Sequence, residues 1–156
     1  MSSERKKSIL VIDDEEDILN LLSEMISDWD YSVVVAQTLP AALIKINNQR
    51  FNVIVLDIML KKISGIKILE QIRKNHMSMN HFTPIILHSG YISPDIVEEY
   101  KGEFDDALVK PAEMNLIRQK LTDWEDKRHS TTNSKLTYIQ EYVRRKIQGR
   151  NKLTGS

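Results

Sequence analysis

Apolar residues along this chain follow two rhythms that take turns from one end to the other. One is a short, nearly unbroken run that stops at a polar residue: SILVI at 8–12, SVVVA at 32–36, NVIVL at 52–56, PIILH at 84–88 and DALV at 106–109. Runs of this length, rich in β-branched residues, read as strands. The other rhythm returns every three or four residues, the spacing of one helix face. It places Ile18, Leu21, Leu22, Met25, Ile26 and Trp29 on a first helix, and Leu39, Leu43 and Ile46 on a second. Ile66, Leu69 and Ile72 mark a third, Ile96, Val97 and Tyr100 a short fourth, and Met114, Ile117, Leu121 and Trp124 a fifth.

Helix starts carry their own signals. Thr38 precedes Pro40 by two residues and Ser93 directly precedes Pro94, so each puts a capping hydroxyl just ahead of a first-turn proline. Asp14 is a candidate cap for the first helix, and Glu15, Glu16 and Asp17 suit its positive end. Residues 75–83, with two His and two Met, read as a loop. Strict alternation of strand and helix predicts an α/β fold, a doubly wound five-stranded parallel sheet with right-handed crossovers and helices on both faces.

Beyond the fifth helix the stretch KRHSTTNS, 127–134, is polar and reads as a hinge or linker. Leu136, Ile139, Val143 and Ile147 then recur at helical spacing, with Tyr138 and Tyr142 beside them and basic residues elsewhere. The expected division is a domain at 7–127 and, at 128–156, a linker with a basic amphipathic helical tail. Charge reinforces this division. Residues 129–156 hold six basic residues and one acid, a net +5, and the zero total leaves −5 on residues 1–128. Docking on the acidic body or on a second copy, as in a homodimer, competes with a simply solvated helix. One short basic helix is too little for a helix-turn-helix reader, so a nucleic-acid partner is not expected.

Composition narrows the class. The chain has 156 residues, 41% hydrophobic, enough for one domain with a core plus an extension. It has no cysteine, which excludes disulfides and thiolate metal sites. No apolar run approaches the roughly 20 residues that cross a bilayer. The basic N-terminal flank leads to a short apolar stretch that runs straight into acids, unlike a signal peptide. A cytoplasmic protein without membrane contact is the expectation.

The chemistry lies where the strands stop. Asp13 and Asp14 follow the first, Asp57 the third, Ser89 the fourth, and Lys110-Pro111 the fifth. In a parallel sheet the carboxyl ends line one edge, and ligands bind there. Three carboxylates, a hydroxyl and an ammonium would meet at that edge. Carboxylate oxygens suit Mg²⁺, and Lys and Ser suit phosphoryl oxygens.

This set, together with Gly65 eight residues after Asp57, resembles the receiver domain of bacterial two-component response regulators over about residues 7–127. The resemblance implies a flavodoxin-like, receiver-type fold. It implies a phosphoryl group accepted on Asp57 from a histidine kinase or phosphotransfer protein, and output through protein–protein contacts. It implies Mg²⁺ held by Asp13, Asp14, Asp57 and the backbone carbonyl of Met59. Lys110 would pair with the phosphoryl oxygens, and Ser89 would move towards them and hydrogen-bond them. The only enzyme-like act implied is self-phosphorylation and self-dephosphorylation. Three positions depart from the family pattern. Ala107 stands where an aromatic switch residue is common, which leaves Tyr91 as a candidate substitute. Lys61 stands where a proline is common, followed by Lys62. Gly90 follows Ser89 where a small residue is usual.

Each residue also has a plain reading. Asp13 and Asp14 could belong to an acidic helix start, Asp57 could be a turn or cap residue, Ser89 a loop hydroxyl and Lys110 a solvated surface amine. Their joint order along successive strand ends is what the plain readings leave unexplained. His76, His81 and His88 read as structural histidines rather than metal ligands, and Trp29 and Trp124 as packing. Two other functions compete: a phosphate-independent interaction domain, for which Ala107 speaks, and an aspartyl-phosphate hydrolase. The hydrolase would want an acid two residues after its nucleophile, where Met59 stands. No glycine-rich nucleotide loop occurs.

Overall fold

A computed structural model describes residues 5–59, 65–130 and 147–148. The elements are β1 Ser8–Ile12, α1 Glu16–Asp28, β2 Ser32–Ala36, α2 Leu39–Asn48, β3 Val53–Leu56, α3 Ile66–Lys74, β4 Ile85–Ser89, α4 Pro94–Glu99, β5 Asp106–Val109 and α5 Met114–Trp124. The strands form one sheet in the order β2-β1-β3-β4-β5, every neighbouring pair parallel. The predicted α/β alternation is therefore realised as a doubly wound sheet.

Alternation of side chains across each strand feeds two cores. Leu10, Ile12, Ile54, Leu56, Ile85 and Leu87 pack with α2, α3 and α4 on one face. Ile9, Val11, Val53, Val55, Ile86 and Leu108 pack with α1 and α5 on the other. β1, β3 and β4 are central and almost wholly buried. The edge strand β2 leaves Val35 39% exposed, as only one of its neighbours is a strand.

The cap signals at Thr38 and Ser93 hold: Thr38 Oγ1 accepts from Ala41 N–H and Ser93 Oγ from Ile96 N–H, each at 3.2 Å. Asp14 is not the α1 cap. Glu15 occupies that position without a side-chain bond, and Asp13 Oδ1 takes the Glu15 N–H at 3.0 Å. Two residues assigned to apolar faces point outward: Leu21 is 54% exposed and Met114 56%. Leu19 takes an inward place on α1, in one cluster with Ile9 and Val11 of β1 and Ile117 and Leu121 of α5.

Residues 75–83 are a loop, as expected, but one anchored from inside. Asn80, fully buried, donates to the carbonyls of Ile46 and Gln49 and accepts from Phe51 N–H. Arg73 is also buried and donates to the carbonyls of Glu103, His81 and Thr83 and to Asp105 Oδ2. Burial pulls its guanidinium down to about 10. Past α5, His129 N–H donates to the Phe82 carbonyl at 2.7 Å, and its Nδ1 lies 2.9 Å from Asp105 Oδ1. The first residues after α5 thus dock on the domain. Lys61, Lys62 and the apolar stripe at 136–143 lie outside the described residues; residues 147–148 are helical.

Candidate functional site

The carboxyl ends of β1, β3, β4 and β5 carry the predicted polar set to one edge. The backbone ladder continues one step past the strands: Asp13 N–H bonds Ala36 O, Asp57 N–H bonds Ile12 O, and Lys110 N–H bonds Ser89 O. Each side chain is therefore fixed by the sheet.

Lys110 Nζ stands at the centre, 2.6 Å from Asp13 Oδ2 and 2.8 Å from Asp57 Oδ2. Asp57 Oδ1 faces the other way and accepts from Ser89 Oγ at 2.6 Å and Met59 N–H at 2.8 Å. Ser89 Oγ in turn accepts from Ile58 N–H at 3.0 Å. Asp13 and Asp57 are buried, and Asp14 is half-buried at the rim. One carboxylate oxygen from each of the three acids lies within 4.8 Å of the others.

Ligand oxygens about 2.1 Å from a Mg²⁺ ion lie at most about 4.2 Å apart, so small side-chain rotations bring this hard, all-oxygen set onto one ion. The electrostatics agree with a cation site. Burial pushes the Asp13 carboxyl up, although Lys110 and the Glu15 N–H pull against it. Burial pushes Asp57 up as well, but donors from Lys110, Ser89 and Met59 outweigh it and hold that carboxyl below its ordinary value. Burial alone would lower Lys110; its two carboxylate partners outweigh that and raise it. One ammonium serves two buried acids, and added positive charge would relieve Asp13.

The structure brings Asp13, Asp14, Asp57, Ser89 and Lys110 together. The Met59 side chain is 58% exposed and contributes through its backbone N–H. Tyr91 is 46% exposed at the surface, and Ala107 packs against the α2–α4 core without an aromatic ring to swing. Ser89 already touches Asp57, where the resemblance implied a hydroxyl that arrives later. One contributor escaped the sequence reading, and another was read without its physical reason. Ile58 reaches Ser89 through its backbone N–H, which no side-chain pattern reveals. Gly65 marks the turn, but its reason is steric: a Cβ there would sit 2.2 Å from the Asp57 carbonyl oxygen.

Comparison with known proteins agrees with this geometry. The family model of the response regulator receiver domain matches residues 9–122. Transcriptional regulatory protein ZraR of Klebsiella oxytoca is 29% identical over 116 residues, 74% of this chain and 25% of that protein. The alkaline phosphatase synthesis transcriptional regulatory protein PhoP of Bacillus subtilis is 39% identical over 71 residues, 46% of this chain and 30% of PhoP. The chain thus spans a third or less of the length of these two relatives. Chemotaxis protein CheY4 of Vibrio cholerae superposes with a TM-score of 0.71 at 26% identity, covering 77% of this chain and 99% of CheY4. Buried acids around one lysine, a parallel sheet in this strand order and a family match over most of its length together place the chain in the response regulator receiver family.

Proposed function

We propose that Asp57 is the residue through which this phosphoacceptor signalling module takes up its phosphoryl group. The Asp57 carboxylate carries the reading. It is buried, ionised by three donors, and backed by a lysine that also holds Asp13. Two of those donors occupy Oδ1, which leaves Oδ2 to attack phosphorus. The P–N bond of a phosphohistidine donor breaks as the Oδ2–P bond forms, and the imidazole leaves with the electron pair. Lys110 Nζ, released from Oδ2, turns to a phosphoryl oxygen, and the Ser89 hydroxyl reorients from Oδ1 to another. Receiver domains bind Mg²⁺ at an acidic pocket; here Asp13, Asp14, Asp57 and the Met59 carbonyl would hold it, and it would neutralise charge developing on the phosphoryl oxygens.

The donor is a histidine kinase or phosphotransfer protein in the cytoplasm. Output runs through the surface where Tyr91, Met114 and Leu116 stand exposed, to a protein partner or a second copy. Residues 7–127 form the receiver, and 128–156 its appended tail. With Mg²⁺ and acetyl phosphate, intact mass should show one hydroxylamine-labile phosphoryl group on the protein and none on Asp57→Asn. An equal adduct on that variant would move the phosphoacceptor elsewhere.

A further inference from the structure

The loop between α3 and β4 carries a second cluster of ligating side chains that phosphoryl transfer does not use. It reads His76-Met77-Ser78-Met79-Asn80-His81. The buried hydrogen bonds of Asn80 and Arg73 hold this loop from below. Local bonds fold it further: Met77 N–H to Asn75 Oδ1, Asn80 N–H to Ser78 Oγ, and His81 N–H to the Ser78 carbonyl. Four potential ligands are displayed from that scaffold. Met77 is 93% exposed and Met79 51%, and the exposed His76 ring lies 4.7 Å from that of His81.

His81 Nδ1 is the telling atom. It is buried and has no hydrogen-bond partner among the described residues. A buried polar nitrogen left unpaired costs about 1–3 kcal/mol, so it calls for an explanation. The rings against His81 are those of His76 and Phe82, both of them exposed. An ion reaching this nitrogen would draw on a neighbouring imidazole that is already in ring contact with His81. With a metal–nitrogen distance of about 2.0 Å and a ring nitrogen about 1.1 Å from its centroid, two imidazoles at a tetrahedral angle have centroids about 5 Å apart. The observed spacing is close to that.

We propose that this loop binds a soft monovalent d¹⁰ cation of the Cu(I) class, through the imidazoles of His76 and His81 and the thioethers of Met77 and Met79. Thioethers are soft, polarisable ligands that select Cu(I). The six-residue run contains no carboxylate and the chain no cysteine, so it lacks the hard oxygens that favour Mg²⁺ and the thiolates that complete a structural Zn²⁺ site beyond its two imidazoles. A single exposed methionine is ordinary. Two of them in sequence between a pair of contacting histidines, on a loop pinned by hydrogen bonds, bring four nitrogen and thioether donors into six residues.

Ag(I) shares this softness and keeps its oxidation state in air. Titrated into the whole chain, it should bind one per chain by native mass spectrometry. The methyl resonances of Met77 and Met79 should move, while those of Met25, Met59 and Met114 stay still. Met77→Leu with Met79→Leu keeps the apolar volume and should weaken binding roughly tenfold or more with unchanged circular dichroism. His81→Gln should weaken it likewise. Still methyls on Met77 and Met79, or undiminished affinity in the Leu double variant, would overturn the assignment. Equal Zn²⁺ binding by wild type and double variant, without Ag(I) binding, would do so too. Phosphorylation of Asp57 is scored separately with acetyl phosphate, so failure of one reading leaves the other standing.

Discussion

Ser89 makes two hydrogen bonds at once, donating to Asp57 Oδ1 and accepting from Ile58 N–H. The first stabilises the Asp57 carboxylate; the second keeps the hydroxyl turned inward. Ser89→Ala should therefore raise the Asp57 pKa, read by carboxyl ¹³C shifts in metal-free buffer. It should also cost about 1–3 kcal/mol by leaving Ile58 N–H unpaired. An unmoved Asp57 titration would show that the hydroxyl does not support the carboxylate. His88, one residue earlier, is held neutral: burial, with help from the Lys110 charge, pulls its pKa down to about 4 from 6.5. The unfolded chain then binds the extra proton between those values. The His88 contribution to stability is complete above pH 6.5, shrinks as pH drops, and is lost below pH 4. That contribution is about 3 kcal/mol. His88→Val should flatten the decline between pH 6.5 and 4, as urea midpoints would register; parallel curves for the two proteins would refute it.

At the scale of elements, the approach of Gly65, at the start of α3, to the end of β3 is a tight constraint. Gly65 N–H bonds the Ile58 carbonyl, and a Cβ at Gly65 would lie 2.7 Å from the Ile58 Cα. Backbone, unlike a flexible side chain, cannot step aside without moving Asp57. Gly65→Ala should destabilise the domain by about 1–3 kcal/mol and slow phosphorylation from acetyl phosphate; wild-type melting and kinetics together would contradict the clash. Element types were legible beforehand because period and caps are local. Thr38 and Ser93 cap where their sequence context places them. Which residue of a helix turns inward was not always legible. Leu21 and Met114 fit a helical stripe yet face solvent, because a stripe on its own does not say which sector meets the sheet.

Across the whole molecule, the end of the sheet opposite the site is closed by Arg73, Asp105 and His129. Arg73 Nη2 lies 3.1 Å from Asp105 Oδ2, both side chains nearly fully buried, and His129 reaches the other Asp105 oxygen. Removing one member of a buried pair leaves an uncompensated charge. Arg73→Met should cost about 3–5 kcal/mol in urea unfolding. Hydrogen exchange should meanwhile speed up at His129, whose N–H is tied to Phe82. Unchanged exchange there would mean that the segment leaving α5 is held independently of Arg73. A polar string such as KRHSTTNS reads as linker, since nothing local reveals that its histidine meets an aspartate more than twenty residues earlier.

Local sequence by itself determined the alternation of strands and helices, two of the caps, and the appearance of Asp13, Asp57, Ser89 and Lys110 at strand ends. Those follow from period, β-branching and turn chemistry, which act between near neighbours. Only the tertiary structure decided that one lysine is shared by two acids and that Ser89 already rests on Asp57. It alone decided that a backbone N–H completes the site and that Arg73 and Asn80 are buried polar anchors. Those depend on distances between residues far apart in the chain, which are set by how strands lie side by side and by which face each helix covers.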